Sequence, residues 1–252
     1  MGEALVSGVI RAGWAKATQV VVVEPVAERR DQLQAAHRGL VVGTEVPAGA
    51  DGVVLAVKPV DLPAACAAVV AARPARVLSI AAGVPLSRLQ EWLGDVPTVR
   101  AMPNTATLIG AGAAAIAPGP LASPADLEWA ETVLQSVGLV VRVTEKSLDA
   151  VTGLSGSGPA YVFLVAEALV DAGVLVGLDR VTSAALTRQT LLGAARLLDE
   201  SEELPEALRA AVTSPGGTTA AGLRVLEQRA VRAAFLDAVA AATERSAELG
   251  RT

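Results

Sequence analysis

The chain has 252 residues, of which 52% are hydrophobic but only 2% are aromatic, so its core must be built from alanine, valine and leucine. The formal net charge is −5 and there is no lysine- or arginine-rich run, which argues against nucleic acids and anionic membranes as partners. The single cysteine, Cys66, rules out an intramolecular disulfide framework, and no signal peptide precedes it, so we expect a cytoplasmic protein.

Along the first 144 residues, short β-branched runs alternate with helical patterns. A helix over 3–12 comes first, and a strand over 20–24 and a helix over 26–36 follow. The next strands, 52–57 and 76–83, are apolar without polar alternation, which is typical of a parallel sheet covered by helices on both faces. Further strands are predicted at 98–102, 112–117 and 139–143, with a helix over 124–137. The alternation predicts an α/β doubly wound domain.

From Ser147 onward the strand pattern disappears. Helices are predicted near 159–176, 180–199, 205–212, 219–227 and 230–249. We therefore expect two domains, a dinucleotide-binding domain over residues 1–145 and an all-helical domain over residues 146–252. The apolar stretch 158–178 is long enough to span a membrane, but Glu167 and Asp171 lie in its middle, so we interpret it as a core helix.

The first helix raises a question, because a doubly wound domain normally begins with a strand and a glycine-rich turn. Gly2 at the start of this helix, followed by a strand that ends in Glu24, corresponds to the second half of such a dinucleotide-binding unit. The first half is lacking. We therefore expect a domain without its first strand, and a natural polypeptide that begins upstream of Met1.

The segment "TSPGGTT" (213–219) combines a fixed φ at Pro215 with two flexible glycines and a helix start. Free backbone N–H groups from about Gly217, Thr218 and Thr219 are expected to hold a carboxylate, helped by the helix dipole. A turn capped by serine or threonine is the alternative interpretation. The lone histidine, His37, is interpreted as a surface residue, and there is neither a serine–histidine pair nor a metal-ligand cluster.

Five segments carry a resemblance to a known family: "MGEAL" (1–5), "AVKP" (56–59), "RAMPNT" (100–105), "LSGSGPAYVF" (154–163) and "VTSPGGTTAAGLRVLE" (212–227). With these the chain resembles the pyrroline-5-carboxylate reductases over nearly its whole length. The resemblance implies a Rossmann-like domain and an all-α dimerisation domain. It also implies hydride transfer from NADPH or NADH to the C=N bond of 1-pyrroline-5-carboxylate, giving L-proline. Such an imine needs little more than placement and a hydrogen bond, so catalysis would rest on proximity and orientation.

The resemblance also assigns residues. It makes the Thr219 hydroxyl the catalytic contact to the ring nitrogen. The substrate-binding set it implies is Glu145, Ser214, Gly216, Gly217, Thr218 and Thr219. The cofactor-binding set is Met1, Gly2, Glu24, Thr44, Ala56, Val57, Lys58, Pro59, Ala82 and Asn104. Within this set the resemblance places Met1 and Gly2 at the phosphate turn and Ala82 and Asn104 near the nicotinamide. Homodimers are implied, in which "PGGTT" of one subunit closes the site on the cofactor of another, and larger rings of dimers are common. Glu145 could instead be a solvated charge, and Lys58 an exposed lysine.

The cofactor preference depends on Glu24. An acid at the end of the second strand of the fold accepts hydrogen bonds from a ribose 2′-OH and repels a 2′-phosphate, which favours NADH. Arg29 and Arg30 lie one turn onward and could compensate for this charge.

Two alternatives remain. A hydroxy-acid dehydrogenase of similar architecture would use a lysine on the first helices of its helical domain, yet the last lysine of the chain, Lys146, precedes the first helix predicted there, at 159–176. A non-catalytic remnant of the same fold, acting as a binding protein, would bind neither nucleotide.

Overall fold

The computed structural model describes residues 1–251, in which helices and strands alternate up to residue 142 and only helices follow. The strands are β1 (Val21–Val23), β2 (Val41–Gly43), β3 (Val53–Leu55), β4 (Val77–Ser79), β5 (Thr98–Pro103), β6 (Gly112–Pro118) and β7 (Gly138–Arg142). The helices are α1 (Gly2–Arg11), α2 (Ala27–Ala36), α3 (Leu62–Ala72), α4 (Leu86–Leu93), α5 (Pro124–Gln135), α6 (Leu148–Val151), α7 (Gly158–Leu175), α8 (Arg180–Glu200), α9 (Pro205–Ala211), α10 (Thr218–Gln228) and α11 (Val231–Leu249). The doubly wound fold class is confirmed.

The strands form two sheets rather than one. A two-stranded parallel sheet has the order β1–β2, and a five-stranded sheet has the order β3–β4–β5–β6–β7. Within residues 1–251 no strand bridges β1 and β3, which is where a doubly wound order expects the first strand. The parallel pairing predicted for the strands at 52–57 and 76–83 is confirmed in β3 and β4, whereas β6 runs antiparallel to β5, with Ala101 opposite Ile116. A short apolar run does not encode its direction, so the sequence pattern could not reveal this.

The five-stranded sheet is covered on both faces because successive side chains of a strand point to opposite sides. On β4, Val77 packs with the cluster of α3 and α4, whereas Leu78 packs with the cluster of α1 and α5. Both side chains are fully buried. Cys66 lies on α3 inside the first of these clusters, and burial raises the pKa of its thiol. Leu5 and Val9 place α1 in the second cluster.

The chain packs as two units. The first comprises Met1–Ser157 together with the chain from Ala240 onward, and the second comprises Gly158–Val239. The first unit contains both sheets, and the second contains α7 to α10 and the first half of α11. The expected domain boundary after residue 145 stays a prediction.

Helix α7 belongs to the second unit, where it packs against α8. The Ser183 hydroxyl on α8 donates to the Val170 carbonyl at 2.7 Å. The interpretation of α7 as a core helix is wrong for the single chain, because none of its residues is buried and Phe163 and Leu164 are more than 60% exposed. By length and composition alone, the helical run Glu145–Leu175 is also long and apolar enough to cross a membrane.

Candidate active site

The start of α1 and the end of β3 meet at the place predicted for the cofactor phosphates. A Cβ added to Gly2 would lie 3.2 Å from the Ala56 Cβ, so the two backbones approach closely. No side chain of the described residues caps α1, whose N-cap is Met1. The first amides of a helix lack intrahelical acceptors and attract anions. The structure therefore brings together Met1, Gly2 and Ala56, three residues of the predicted cofactor set.

Glu24 and Thr44 directly follow two paired strands, β1 and β2. Val23 pairs with Gly43 in parallel register, and the Glu24 N–H donates to the Gly43 carbonyl at 3.0 Å. The Glu24 carboxylate accepts the Val26 N–H at 2.9 Å. Both residues therefore lie at the carboxyl edge of this sheet, where open α/β sheets bind ligands.

The two arginines near Glu24 both have partners. Arg30 donates to the Glu24 carbonyl at 2.9 Å and to the Pro25 carbonyl at 2.7 Å. Arg29 pairs with Glu3 and donates to Gln32. These contacts hold both guanidinium groups on the protein itself.

A cavity of about 780 Å³ lies in the first unit, beside the loop that follows β4. Ala82 and Pro59, both predicted to bind the cofactor, contribute to its wall, while Val57 and Lys58 are exposed just before Pro59. The loop turns at Gly83, whose φ of +74° is a left-handed value that favours glycine. Sequence reasoning did not assign further wall residues from α4, the 152–157 segment and α11, namely Arg88, Trp92, Thr152, Ser157, Arg245 and Ser246. Ser157 could have been assigned from the segment "LSGSGPAYVF", which is one of those that carry the family resemblance.

Asn104 follows β5 and uses its side chain inside the protein. Its Nδ2 donates to the Ser155 carbonyl at 3.1 Å, and its Oδ1 accepts the N–H groups of Ala106 and Ala113, each at 3.2 Å. Ser155 lies in a π-helical turn, Thr152–Gly156, which the sequence did not predict. Asn104 thus fixes this turn to the end of β5, and its contact with a nicotinamide stays a prediction.

Glu145 follows β7 and joins three elements of the first unit. Its Oε1 accepts the Leu86 N–H at 2.6 Å and lies 3.0 Å from Nη1 of Arg100. The Arg100 side chain is only 8% exposed, whereas that of Glu145 is 35% exposed. Its predicted contact with the substrate stays a prediction.

The predicted carboxylate-binding loop lies in the second unit, directly before α10. Gly216 has a φ of +70°, and a Cβ on Gly217 would lie 3.2 Å from the Ser214 carbonyl oxygen, so both positions suit glycine. One expectation is wrong: the Gly217 N–H is not free, because it donates to Ser214 at 3.1 Å. Helix α10 begins at Thr218, and no side chain of the described residues caps it. The amides of Thr218 and Thr219 therefore have no intrahelical acceptor.

His37 is half-buried rather than a plain surface residue. Its Nε2 lies 3.2 Å from the Ser7 hydroxyl, so it ties α1 to the end of α2.

A doubly wound unit, followed by a helical unit in which a helix without a side-chain cap begins behind two glycines, is the arrangement of an oxidoreductase that uses a nicotinamide cofactor. Comparison with known proteins agrees. The family described as pyrroline-5-carboxylate reductase dimerisation matches residues 145–249, and the family described as NADP oxidoreductase, coenzyme F420-dependent, matches residues 1–83.

Pyrroline-5-carboxylate reductases from Synechocystis sp. and Methanosarcina acetivorans are 45% and 42% identical to this chain, covering 100% of it and 95% of their own length. The solved pyrroline-5-carboxylate reductase of Coxiella burnetii superposes with a TM-score of 0.94 at 36% identity, covering 100% of this chain and 96% of its own. That of Plasmodium falciparum, with NADP bound, gives 0.83 at 29% identity, covering 99% and 94%. The chain belongs to the pyrroline-5-carboxylate reductase family, and its dimerisation region supports self-association.

Proposed function

We propose that this chain transfers a hydride from a reduced nicotinamide to the C=N bond of 1-pyrroline-5-carboxylate, giving L-proline in the cytoplasm as the last step of proline biosynthesis. The observation that carries the proposal is the uncapped start of α10 behind Gly216 and Gly217, in a chain of this family. Two free amides and a helix dipole suit one carboxylate, which is the charged group of the substrate.

The roles that we propose for this loop are those that the family resemblance implies. The amides of Thr218 and Thr219 hold the substrate carboxylate, and the Thr219 hydroxyl hydrogen-bonds the ring nitrogen. Ser214, Gly216 and Gly217 shape the loop that presents these groups. Because the imine nitrogen is basic, the protein contributes mainly proximity and orientation.

The direct test is the rate of NADH and NADPH oxidation with pyrroline-5-carboxylate, with L-proline quantified as the product. Thr219→Val removes the hydroxyl at nearly constant volume and should lower kcat/KM about tenfold or more, as expected for one lost hydrogen bond of ~1.5 kcal/mol. Thr219→Ser keeps the hydroxyl and should restore most of the activity. A wild-type chain that neither reduces the substrate nor binds either nucleotide would instead be the non-catalytic remnant, which no observation favours.

We infer further that the active unit is a homodimer, or a ring of such dimers, in which the α10 loop of one copy acts on the cofactor of another. The exposed apolar side chains of α7, including Phe163 and Leu164, supply a surface for self-association.

Two variants test the shared site when they are co-expressed. One is Thr219→Ala, and the other is Ala82→Trp, which fills the cavity beside the loop that follows β4. Randomly mixed dimers should recover about one quarter of the wild-type activity. No recovery would mean that each copy works alone.

For the cofactor we propose a preference for NADH. The Glu24 carboxylate stands at the carboxyl edge of β1, and Arg29 and Arg30 have partners on the protein. Glu24→Gln keeps an oxygen acceptor for the Val26 N–H while it removes the charge. The ratio of kcat/KM for NADPH to that for NADH should rise about tenfold, or ~1.4 kcal/mol. Glu28→Gln, at an exposed position of α2, is the control and should leave the ratio unchanged.

A further inference from the structure

The loop between β4 and α4 needs an external support. Its last five residues are Ala81, Ala82, Gly83, Val84 and Pro85, none of which carries a polar side chain. Helix α4 has Pro85 as its N-cap, and no hydrogen bond from that side chain satisfies its first amides. The loop nevertheless forms a wall of the cavity and presents Ala82 there.

That support comes from a carboxylate 59 residues further along the chain. Glu145 Oε1 accepts the N–H of Leu86, the first residue of α4, at 2.6 Å. A carboxylate at a helix N-terminus both satisfies an orphan amide and interacts favourably with the helix dipole. Leu86 itself is buried, so its N–H has little access to water as a substitute acceptor.

Arg100 fixes the carboxylate in turn. It lies on β5, its side chain is almost fully buried, and its Nη1 is 3.0 Å from the same oxygen of Glu145. A buried guanidinium without a counter-charge is strongly unfavourable, so Arg100 holds Glu145 in this one place. Strand β5 pairs directly with β4, with Arg100 opposite Ser79. This pairing and the contacts of Glu145 with Arg100 and Leu86 together connect the strand before the loop to the helix after it.

We propose that Glu145, held by Arg100, is a positioning residue that fixes the Ala81–Pro85 loop, and with it the bound nicotinamide, through the Leu86 amide. The proposal rests on the reductase function proposed above. It assigns Glu145 an action through the backbone of α4 instead of a contact with the substrate, although the two roles would give the same loss of activity in a simple assay.

Kinetics separate the two roles. Glu145→Ala removes the acceptor and frees the loop, so kcat should fall about tenfold to a hundredfold while KM for pyrroline-5-carboxylate stays within about twofold, since small misplacements cost rate rather than affinity. Glu145→Gln retains an oxygen for Leu86 and should recover a large part of kcat. Glu131→Ala, which removes a half-buried carboxylate paired with Arg142 away from the loop, is the matched control and should behave as wild type.

Hydrogen exchange gives a readout that needs no turnover. In Glu145→Ala the Leu86 amide should exchange at least about tenfold faster than in the wild-type chain, while amides of β4 such as that of Leu78 keep their protection. If Glu145→Ala does not fold, Glu145→Asp, which withdraws the carboxylate by one methylene, replaces it in both measurements.

A tenfold rise in KM for the substrate, with unchanged kcat and unchanged Leu86 exchange, would show direct contact and overturn the proposal. Unchanged kinetics and exchange would overturn it too. A wild-type chain without reductase activity would refute the proposed function alone. The exchange of Leu86 would still decide whether Glu145 holds the loop.

Discussion

The Ser246 hydroxyl near the end of α11 donates to Asp149 Oδ1 at 2.7 Å, although the two residues are 97 positions apart. Ser246 is buried at 5% exposure, and this bond fastens the last helix to the first unit beside the cavity. Ser246→Ala should lower the free energy of unfolding by about 1–2 kcal/mol, because it leaves the half-buried Asp149 carboxylate without this donor. Urea denaturation measures the loss. Glu244→Ala, exposed on the same helix, should change stability little.

Gly216 and Gly222 form a matched pair of glycines around the start of α10. Gly216→Ala places a Cβ on a residue with a φ of +70° and should cost about 1–2 kcal/mol of stability. It should also raise KM for pyrroline-5-carboxylate, because the strained loop misplaces the Thr218 and Thr219 amides. Gly222 lies inside the helix with open space around it, so Gly222→Ala should stabilise the protein by about 0.5–1 kcal/mol. Equal effects from the two substitutions would contradict the assigned loop geometry.

Most of the fold could be predicted because buried parallel strands and amphipathic helices leave strong local patterns. The predicted helix over 26–36 corresponds to α2, Ala27–Ala36, to within one residue. By contrast, β2 was missed, since Val41 and Val42 are followed at once by glycine and polar residues and give too short a run. The antiparallel direction of β6 was not predictable either, because it depends on pairing with β5 rather than on composition.

Trp129 packs against Gly52, which directly precedes β3. A Cβ on Gly52 would come within 2.8 Å of the indole Cε2 and Cη2, and the Arg76 guanidinium lies 5.6 Å from the same ring. Arg76 is itself held 3.3 Å from Asp126, so the ring has little freedom to move aside. Gly52→Ala should therefore destabilise the protein by about 1–3 kcal/mol, as other overpacked sites do.

Thermal or urea unfolding of Gly52→Ala provides the measurement. Gly43→Ala is the control, because that glycine has open space and an ordinary φ. A stable Gly52→Ala protein with unchanged tryptophan fluorescence would show that the indole does not pack on this glycine.

Asp179 caps the N-terminus of α8, and its Oδ1 accepts the Thr182 N–H at 3.0 Å. Hydrogen bonds from the Thr182 side chain and then from its backbone lower the pKa of Asp179 below the ordinary 3.8. Because the folded value is depressed, the ionised cap adds stability above pH 3.8 and loses it as the pH falls through the lower folded pKa. The stability of wild type relative to Asp179→Asn should therefore decrease on acidification.

Urea titrations between neutral and acid pH test this dependence on Asp179. Thr182→Val removes the side-chain donor, which is the largest cause of the shift, and should weaken the same pH dependence. A difference between wild type and Asp179→Asn that grows as the pH falls would contradict the assignment.

The candidate site could be predicted only as separate pieces of chain. Glycines and a helix start in "PGGTT" predict an anion-binding loop locally, because the geometry needs only neighbouring residues. The contacts of Glu145 with Leu86 and Arg100 span 59 and 45 residues, and no local pattern encodes such a meeting. The same holds for Asn104 and Ser155, which are 51 residues apart. Family resemblance named several of these residues but not their partners.

The first unit is assembled from both ends of the chain, since the residues from Ala240 onward return to it after the whole second unit. On the ribosome, where a chain emerges from its N-terminus, the nucleotide-binding half is therefore made first but can be completed only last. Until α11 has left the exit tunnel, Asp149 lacks its hydrogen bond from Ser246, and the wall of the cavity that α11 contributes has not formed. A newly made subunit thus completes this cavity only after the whole second unit has been synthesised.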